Sequence, residues 1–161
     1  MRRKNSEGFS IIELLIVVAV ILIITAFSIP NFLRSMIAAN QASAISSLRI
    51  LNTAELSYSV TFNSGFSSTL ADLAPPTVGG TPTSTAAGLI DSILARGRKS
   101  GYTFTYSAGA PDSTGHIDTY TITAVPISNN TGTNCYFMDQ SGVIRQNATT
   151  TAGSTDSPIP G

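Results

Sequence analysis

One cysteine and one histidine in 161 residues leave little room for site chemistry. Cys135 has no second thiol to pair with, so it closes no intramolecular disulfide and builds no thiolate metal site. His116 stands in a Gly/Ser/Thr-rich stretch, where a surface turn is the simplest reading. No Cys–His pair, G-x-S-x-G or H-E-x-x-H pattern accompanies it. These absences argue against an enzyme, and no cofactor or metal is assigned. Charge is also scarce. Asp, Glu, Lys and Arg make up 11% of the chain and cancel to a formal net charge of zero, so the basic excess of a nucleic-acid binder is missing.

What charge there is falls in a telling place. Arg2, Arg3, Lys4 and Glu7 crowd the first eight residues, Glu13 follows, and no charge appears from Leu14 to Leu33. Phe9 to Ile29 is an apolar run of the length that crosses a bilayer, roughly 20 residues at about 1.5 Å each. The basic residues before it place the N-terminus in the cytoplasm by the positive-inside tendency. Three readings compete. A secretory signal peptide would use the small-x-small site Ala26-Phe27-Ser28, but its apolar stretch is normally shorter and has no use for a carboxylate. A plain transmembrane anchor explains the length and not the acid. The third reading cuts the chain between Gly8 and Phe9. The new amine of Phe9 then lies about 6 Å along a helix from Glu13 and can neutralise a carboxylate that hydrocarbon would otherwise penalise by a few kcal/mol.

The segment Gly8-Phe9-Ser10-Ile11-Ile12-Glu13-Leu14, behind a short basic leader, resembles the class III signal of type IV prepilins and type II secretion pseudopilins. The resemblance implies that a prepilin peptidase/methyltransferase removes the leader on the cytoplasmic side and methylates the Phe9 nitrogen. It implies further that Glu13 pairs with that nitrogen between subunits and that Pro30 is the family's helix-kinking proline. Proline lacks the N–H and crowds the preceding turn, so a kink there also has a physical basis. The likeness is strong over residues 1–60 and loose beyond. One departure is Cys135, which stands alone where many type IV pilins close a C-terminal loop with two cysteines.

Helix-compatible sequence resumes after Pro30 and meets no Gly or further Pro before Thr61. Phe32, Met36, Ala39, Ala42, Ile45, Leu48, Leu51 and Leu56 recur at roughly helical spacing, so the buried face is expected there. A Ser/Thr/Pro/Gly-rich connection spans Phe66 to Ser84, with one helical turn at Leu70–Leu73. A second short helix is expected to carry Leu89, Ile90, Ile93 and Leu94 on one face and to end at Gly97. Strands are expected at Tyr102–Tyr106, Tyr120–Ala124, Asn134–Met138 and Val143–Gln146, the last two joined by the turn Asp139–Gly142. Asp112, Asp118, Asp139 and Asp156 are oxygen donors of the kind calcium takes, but scattered aspartates read as surface groups.

The expected fold is α+β: a long kinked N-terminal helix whose C-terminal half packs on a small antiparallel sheet. Its expected divisions are a cleaved cytoplasmic leader (1–8), a transmembrane and polymerisation half-helix (9–30), an amphipathic half (31–62), a globular region (63–146) and a flexible tail (147–161). Function follows the resemblance. The chain is read as the structural subunit of a type IV pilus-like filament, a homo-oligomer built from the bilayer by an inner-membrane assembly platform. Its destination is the cell surface or, as the pseudopilin of a type II secretion system, the periplasm. An ordinary secreted or anchored protein is the remaining alternative.

Overall fold

The computed structural model describes residues 8–159, so Arg2, Arg3, Lys4 and Glu7 of the leader lie outside the described residues. Two compact units divide the chain, Met1–Met36 and Ile37–Gly161. One helix, α1 (Ile11–Phe62), supplies the first unit's regular structure and the opening element of the second. Pro30 sits inside α1 rather than at its end.

In the second unit α1 is followed by a 3-10 turn (Leu70–Leu73), a one-turn helix α2 (Ser92–Ala95) and five strands. These are β1 (Arg98–Lys99), β2 (Tyr102–Ala108), β3 (Tyr120–Pro126), β4 (Cys135–Asp139) and β5 (Arg145–Asn147). They form one antiparallel sheet in sequence order. The architecture is α+β, as expected. Period-two alternation decides the faces: Tyr102 and Phe104 of β2, Tyr120, Ile122 and Ala124 of β3, and Tyr136 and Met138 of β4 are all buried. Register sets Ala124 between Phe104 and Tyr136, a small residue between two rings. This face joins Ala44, Leu48, Leu51, Ala54 and Tyr58 of α1 in one apolar cluster, completed by Leu70, Leu73, Ile90 and Leu94.

The buried side of α1 is rotated from the expected one. Leu48 and Leu51 are buried, and Ile45 packs against the core, but Ala39 and Ala42 are exposed and Leu56 is 51% exposed. The face runs instead through Ala44, Ser47, Leu48, Leu51, Ala54, Glu55 and Tyr58. A count of apolar letters overlooked it because two members are polar. Ser47 satisfies its hydroxyl on the Ser43 carbonyl at 2.9 Å, and Glu55 is held by Ser67. The buried Tyr58, Tyr102 and Tyr120 and the half-buried Tyr106 likewise spend their hydroxyls on oxygen acceptors: Tyr58 on Ser84 O, Tyr102 on Asn134 O, Tyr106 on Ser67 O and Tyr120 on Asn52 Oδ1.

Smaller differences have local causes. Asp91 caps α2 by accepting from the Ile93 and Leu94 amides, so the helix starts after Ile90 and leaves Ile93 60% exposed. Gly97 closes that turn at φ +72°, and β1, too short to show a period, was not expected. Glycine is required at position 65. Its φ is +79° and a Cβ there would run into the Ile117 carbonyl, where Phe66 N donates in a 2.8 Å hydrogen bond.

The described part of the expected flexible tail folds back on β5. Gln146 N donates to Ser157 O at 3.0 Å and Ile159 N to Ile144 O at 3.0 Å, while Ala152 is buried. Asp156 accepts from Asn147 Nδ2 at 2.9 Å and Gly153 N at 2.8 Å, and its carbonyl accepts from Arg145 Nη1 at 2.9 Å. A carboxylate clasp thus fastens residues that composition alone reads as loose. Asp156→Ala is expected to cost on the order of 1–2 kcal/mol. Hydrogen exchange should accelerate at Gly153 and Ile159 while the amides of β2 and β3 keep their protection.

Candidate assembly site at the start of the long helix

Helical bonding begins with the Leu14 amide donating to the Ser10 carbonyl at 3.2 Å, which makes Ser10 the residue at the boundary. Gly8 and Phe9 precede the helix, and Phe9 is 76% exposed. The bond between them is therefore outside regular structure and accessible. Glu13 occupies the first turn, where a carboxylate complements the positive end of the helix dipole. Ser10 and Glu13 also have the S-x-x-E spacing of a capping box, a signal legible in the sequence and overlooked there.

From Leu14 to Ile24 α1 is apolar on every side, and no charge follows Glu13 before Arg34. Residues 9–36 are all exposed, and an 18-residue window of α1 reaches a mean hydropathy of 2.9 with none of it buried. Ile11 to Pro30 spans about 30 Å at the helical rise, the thickness of a hydrocarbon core. Glu13 is the sole formal charge between Gly8 and Arg34. The ion pairs found among the described residues, Lys99–Asp91 and His116–Asp118, do not involve it.

Pro30 denies the Ala26 carbonyl its usual i+4 donor. Side chains crowd the same stretch. Thr25 Oγ1 donates to Leu22 O at 3.0 Å, Asn31 Nδ2 to Phe27 O at 3.2 Å, and Ser35 Oγ to Asn31 O at 3.0 Å. A hydroxyl that bonds back to an i−4 carbonyl, as Ser35 does, favours bending and adds to the effect of Pro30.

The other candidate groups are dispersed. Cys135 lies half-buried in β4, and burial pushes its thiol up from the ordinary value. His116 Nδ1 meets Asp118 Oδ1 at 2.9 Å on the loop between β2 and β3. Asp112 organises that loop by accepting from Thr114 N, Thr114 Oγ1 and His116 N. Those bonds hold its carboxyl below the ordinary value. Asp139 binds Ser141 in the hairpin turn, and Asp156 belongs to the clasp. The four aspartates are not brought together, and no group of three or more metal-ligating side chains occurs among the described residues.

A family model described as the prokaryotic N-terminal methylation motif matches residues 3–29, the stretch containing Gly8, Phe9 and Glu13. Over 54 residues the chain is 43% identical to the type IV major pilin protein PilA of Myxococcus xanthus (strain DK1622). That match takes in 34% of this chain and 24% of the relative, so the chain spans about a quarter of the relative's length. No solved structure matches the chain.

Replacing Pro30 by Ala restores an amide donor for the Ala26 carbonyl. Pro30→Ala is expected to slow hydrogen exchange at residues 31–34 of the full chain in micelles, by up to about 100-fold for the roughly 3 kcal/mol a helical proline costs.

Proposed function

We propose that this chain, a type IV pilin-like protein with an N-terminal methylation motif, is the structural subunit of a pilus-like filament. The observation that carries the reading is a single carboxylate, Glu13, one turn inside the exposed first half of α1, which carries no other charge before Arg34, four residues from Phe9.

Prepilin peptidase hydrolyses the Gly8–Phe9 bond. Water adds across it, leaving a carboxylate on Gly8 and an amine on Phe9; the amine then takes a methyl group from a sulfonium donor, which leaves as a thioether, and loses a proton. The accessible, non-helical position of that bond favours this chemistry. The new cation would stand at the positive end of the helix dipole, an unfavourable place for it. A carboxylate offsets that cost, and Glu13 is the acid at the right depth. Within a filament the partner Glu13 belongs to a neighbouring copy, so the pair fixes the axial step between copies more than it adds stability.

Before assembly the apolar half-helix rests in the inner membrane with its N-terminus in the cytoplasm. The length of the run and the basic residues Arg2, Arg3 and Lys4 support that placement. An assembly platform then extracts subunits singly, each exchanging lipid for sister helices. The kink at Pro30 lets the apolar half settle among those helices. The same local chemistry would serve the pseudopilin of a type II secretion system, and an extracellular rather than periplasmic fibre separates the two.

Intact-mass measurement of the purified protein tests the processing. A chain beginning at Phe9 with one added methyl is expected, whereas a start at Ile29 would indicate an ordinary signal sequence. Glu13→Ala should leave leader removal intact and reduce filament yield at least about tenfold, the consequence of losing a contact worth over 1.4 kcal/mol per step. Electron microscopy of sheared preparations reads that outcome, and normal filament numbers would contradict the pairing.

A further inference from the structure

Glu55 is buried to 0% exposure in the second unit, on the face of α1 that meets β2. Its two oxygens meet one residue of the connecting loop: Ser67 N donates to Oε2 at 2.9 Å, and Ser67 Oγ lies 2.6 Å from Oε1. Tyr106 of β2 completes the cluster, its hydroxyl donating to Ser67 O at 2.7 Å and lying 3.3 Å from Ser67 Oγ. These are four contacts, and each requires one proton. With an ionised carboxylate the protons are three: the Ser67 amide, the Ser67 hydroxyl and the Tyr106 hydroxyl. The contact between Ser67 Oγ and Tyr106 Oη is then left without one. With a protonated Glu55 the count closes. Glu55 donates to Ser67 Oγ, Ser67 Oγ donates to Tyr106 Oη, Tyr106 donates to Ser67 O, and Ser67 N donates to the second carboxyl oxygen.

We infer that Glu55 is a proton-linked latch that ties the loop at Ser67 and strand β2 to the long helix, closed when its carboxyl carries a proton and loosened when it ionises. The surroundings agree. The titratable groups facing it are Tyr58 on α1, Asp72 in the 3-10 turn, Tyr106 on β2 and Tyr120 on β3, none of them a cation. Burial pushes the Glu55 carboxyl up from its ordinary value. The bonds from Ser67 and Tyr106 oppose the rise, and the Asp72 charge adds to it. A carboxyl raised in the folded state stabilises the fold fully below its unfolded value, and that contribution is lost as pH climbs through the folded one. Asp91 and Asp112, whose carboxyls are lowered, act in the opposite sense at acid pH. They are common to wild type and variant and cancel in the comparison.

The test is thermal melting of the full chain in detergent micelles from about pH 4 to about pH 9, wild type beside Glu55→Gln. Glutamine reproduces the protonated arrangement, its amide donating to Ser67 Oγ and its oxygen accepting from Ser67 N. The wild-type melting temperature is expected to fall by several degrees relative to the variant as pH rises past the ordinary carboxyl range. In infrared spectra the wild type should keep a protonated-carboxyl band at a pH where exposed acids are ionised, a measurement that stands even if the variant folds poorly. Parallel melting profiles, or a wild-type chain without that band, overturn the latch.

Discussion

A helix that is apolar on every side has no stable place in water, and that constraint governs this protein. From Phe9 to Met36 every residue of the described structure is exposed. At about 25 cal/mol per Å² of apolar surface, leaving such a rod hydrated would cost more than a small domain's whole stability. Lipid and sister helices both satisfy the constraint, and they differ in what they do with a charge. Lipid penalises Glu13 unless it reaches the interface, whereas a neighbouring chain can supply a cation at the same depth. In the proposed filament the acid would therefore discriminate between the two environments in a way no added leucine could.

The second unit solves a related problem with modest means. Its share of α1 offers small residues and serines rather than a broad aliphatic stripe, and the buried Tyr58, Tyr102 and Tyr120, with the half-buried Tyr106 beside them, bond their hydroxyls to oxygen acceptors. No buried side-chain nitrogen or oxygen among the described residues lacks a hydrogen-bond partner. A core of this kind gains specificity from its polar ends, because a slipped strand would bury an unmatched hydroxyl. Glu55 takes the strategy further, joining helix, loop and β2 through one carboxyl with no cation facing it.

Much of this is legible in the residues. The alternation of Tyr102-Thr-Phe104-Thr-Tyr106 and of Tyr120-Thr-Ile122-Thr-Ala124 is period two, and both segments are strands. The turn at Leu70–Leu73 and the hairpin at Asp139–Gly142 also stand where their chemistry points, with Gly142 N donating to Asp139 O at 2.9 Å. The failures share a cause. The buried face of α1 includes Ser47 and Glu55, which hydropathy assigns to solvent, so the apolar count chose Leu56 instead. The segment after Asn147 looks loose because Asp156 ties it to Arg145 and Asn147, 11 and 9 residues back, through contacts that no local pattern displays. At the helix start the reverse holds: Gly8, Phe9 and Glu13 fall within six consecutive residues, a pattern local enough to be recognised in the sequence.

The two glutamates of α1 show how environment assigns different tasks to one side chain. Glu55 lies deep among tyrosines, where the proton is its cheapest partner because no cation faces it. Glu13 lies at a helix start, where the dipole already favours the anion and a released amine would need one. If both carboxyls were neutral the chain could still fold, and it could still enter a bilayer. What it would lose is direction, since a neutral acid at position 13 recognises no particular depth in a neighbouring helix. In an apolar medium a charge left without its partner is costly, because the partner's attraction is the main offset to its lost hydration. In the proposed filament, smooth apolar rods would acquire a fixed step from a single charged residue, which would have to sit near the chain end that cleavage frees.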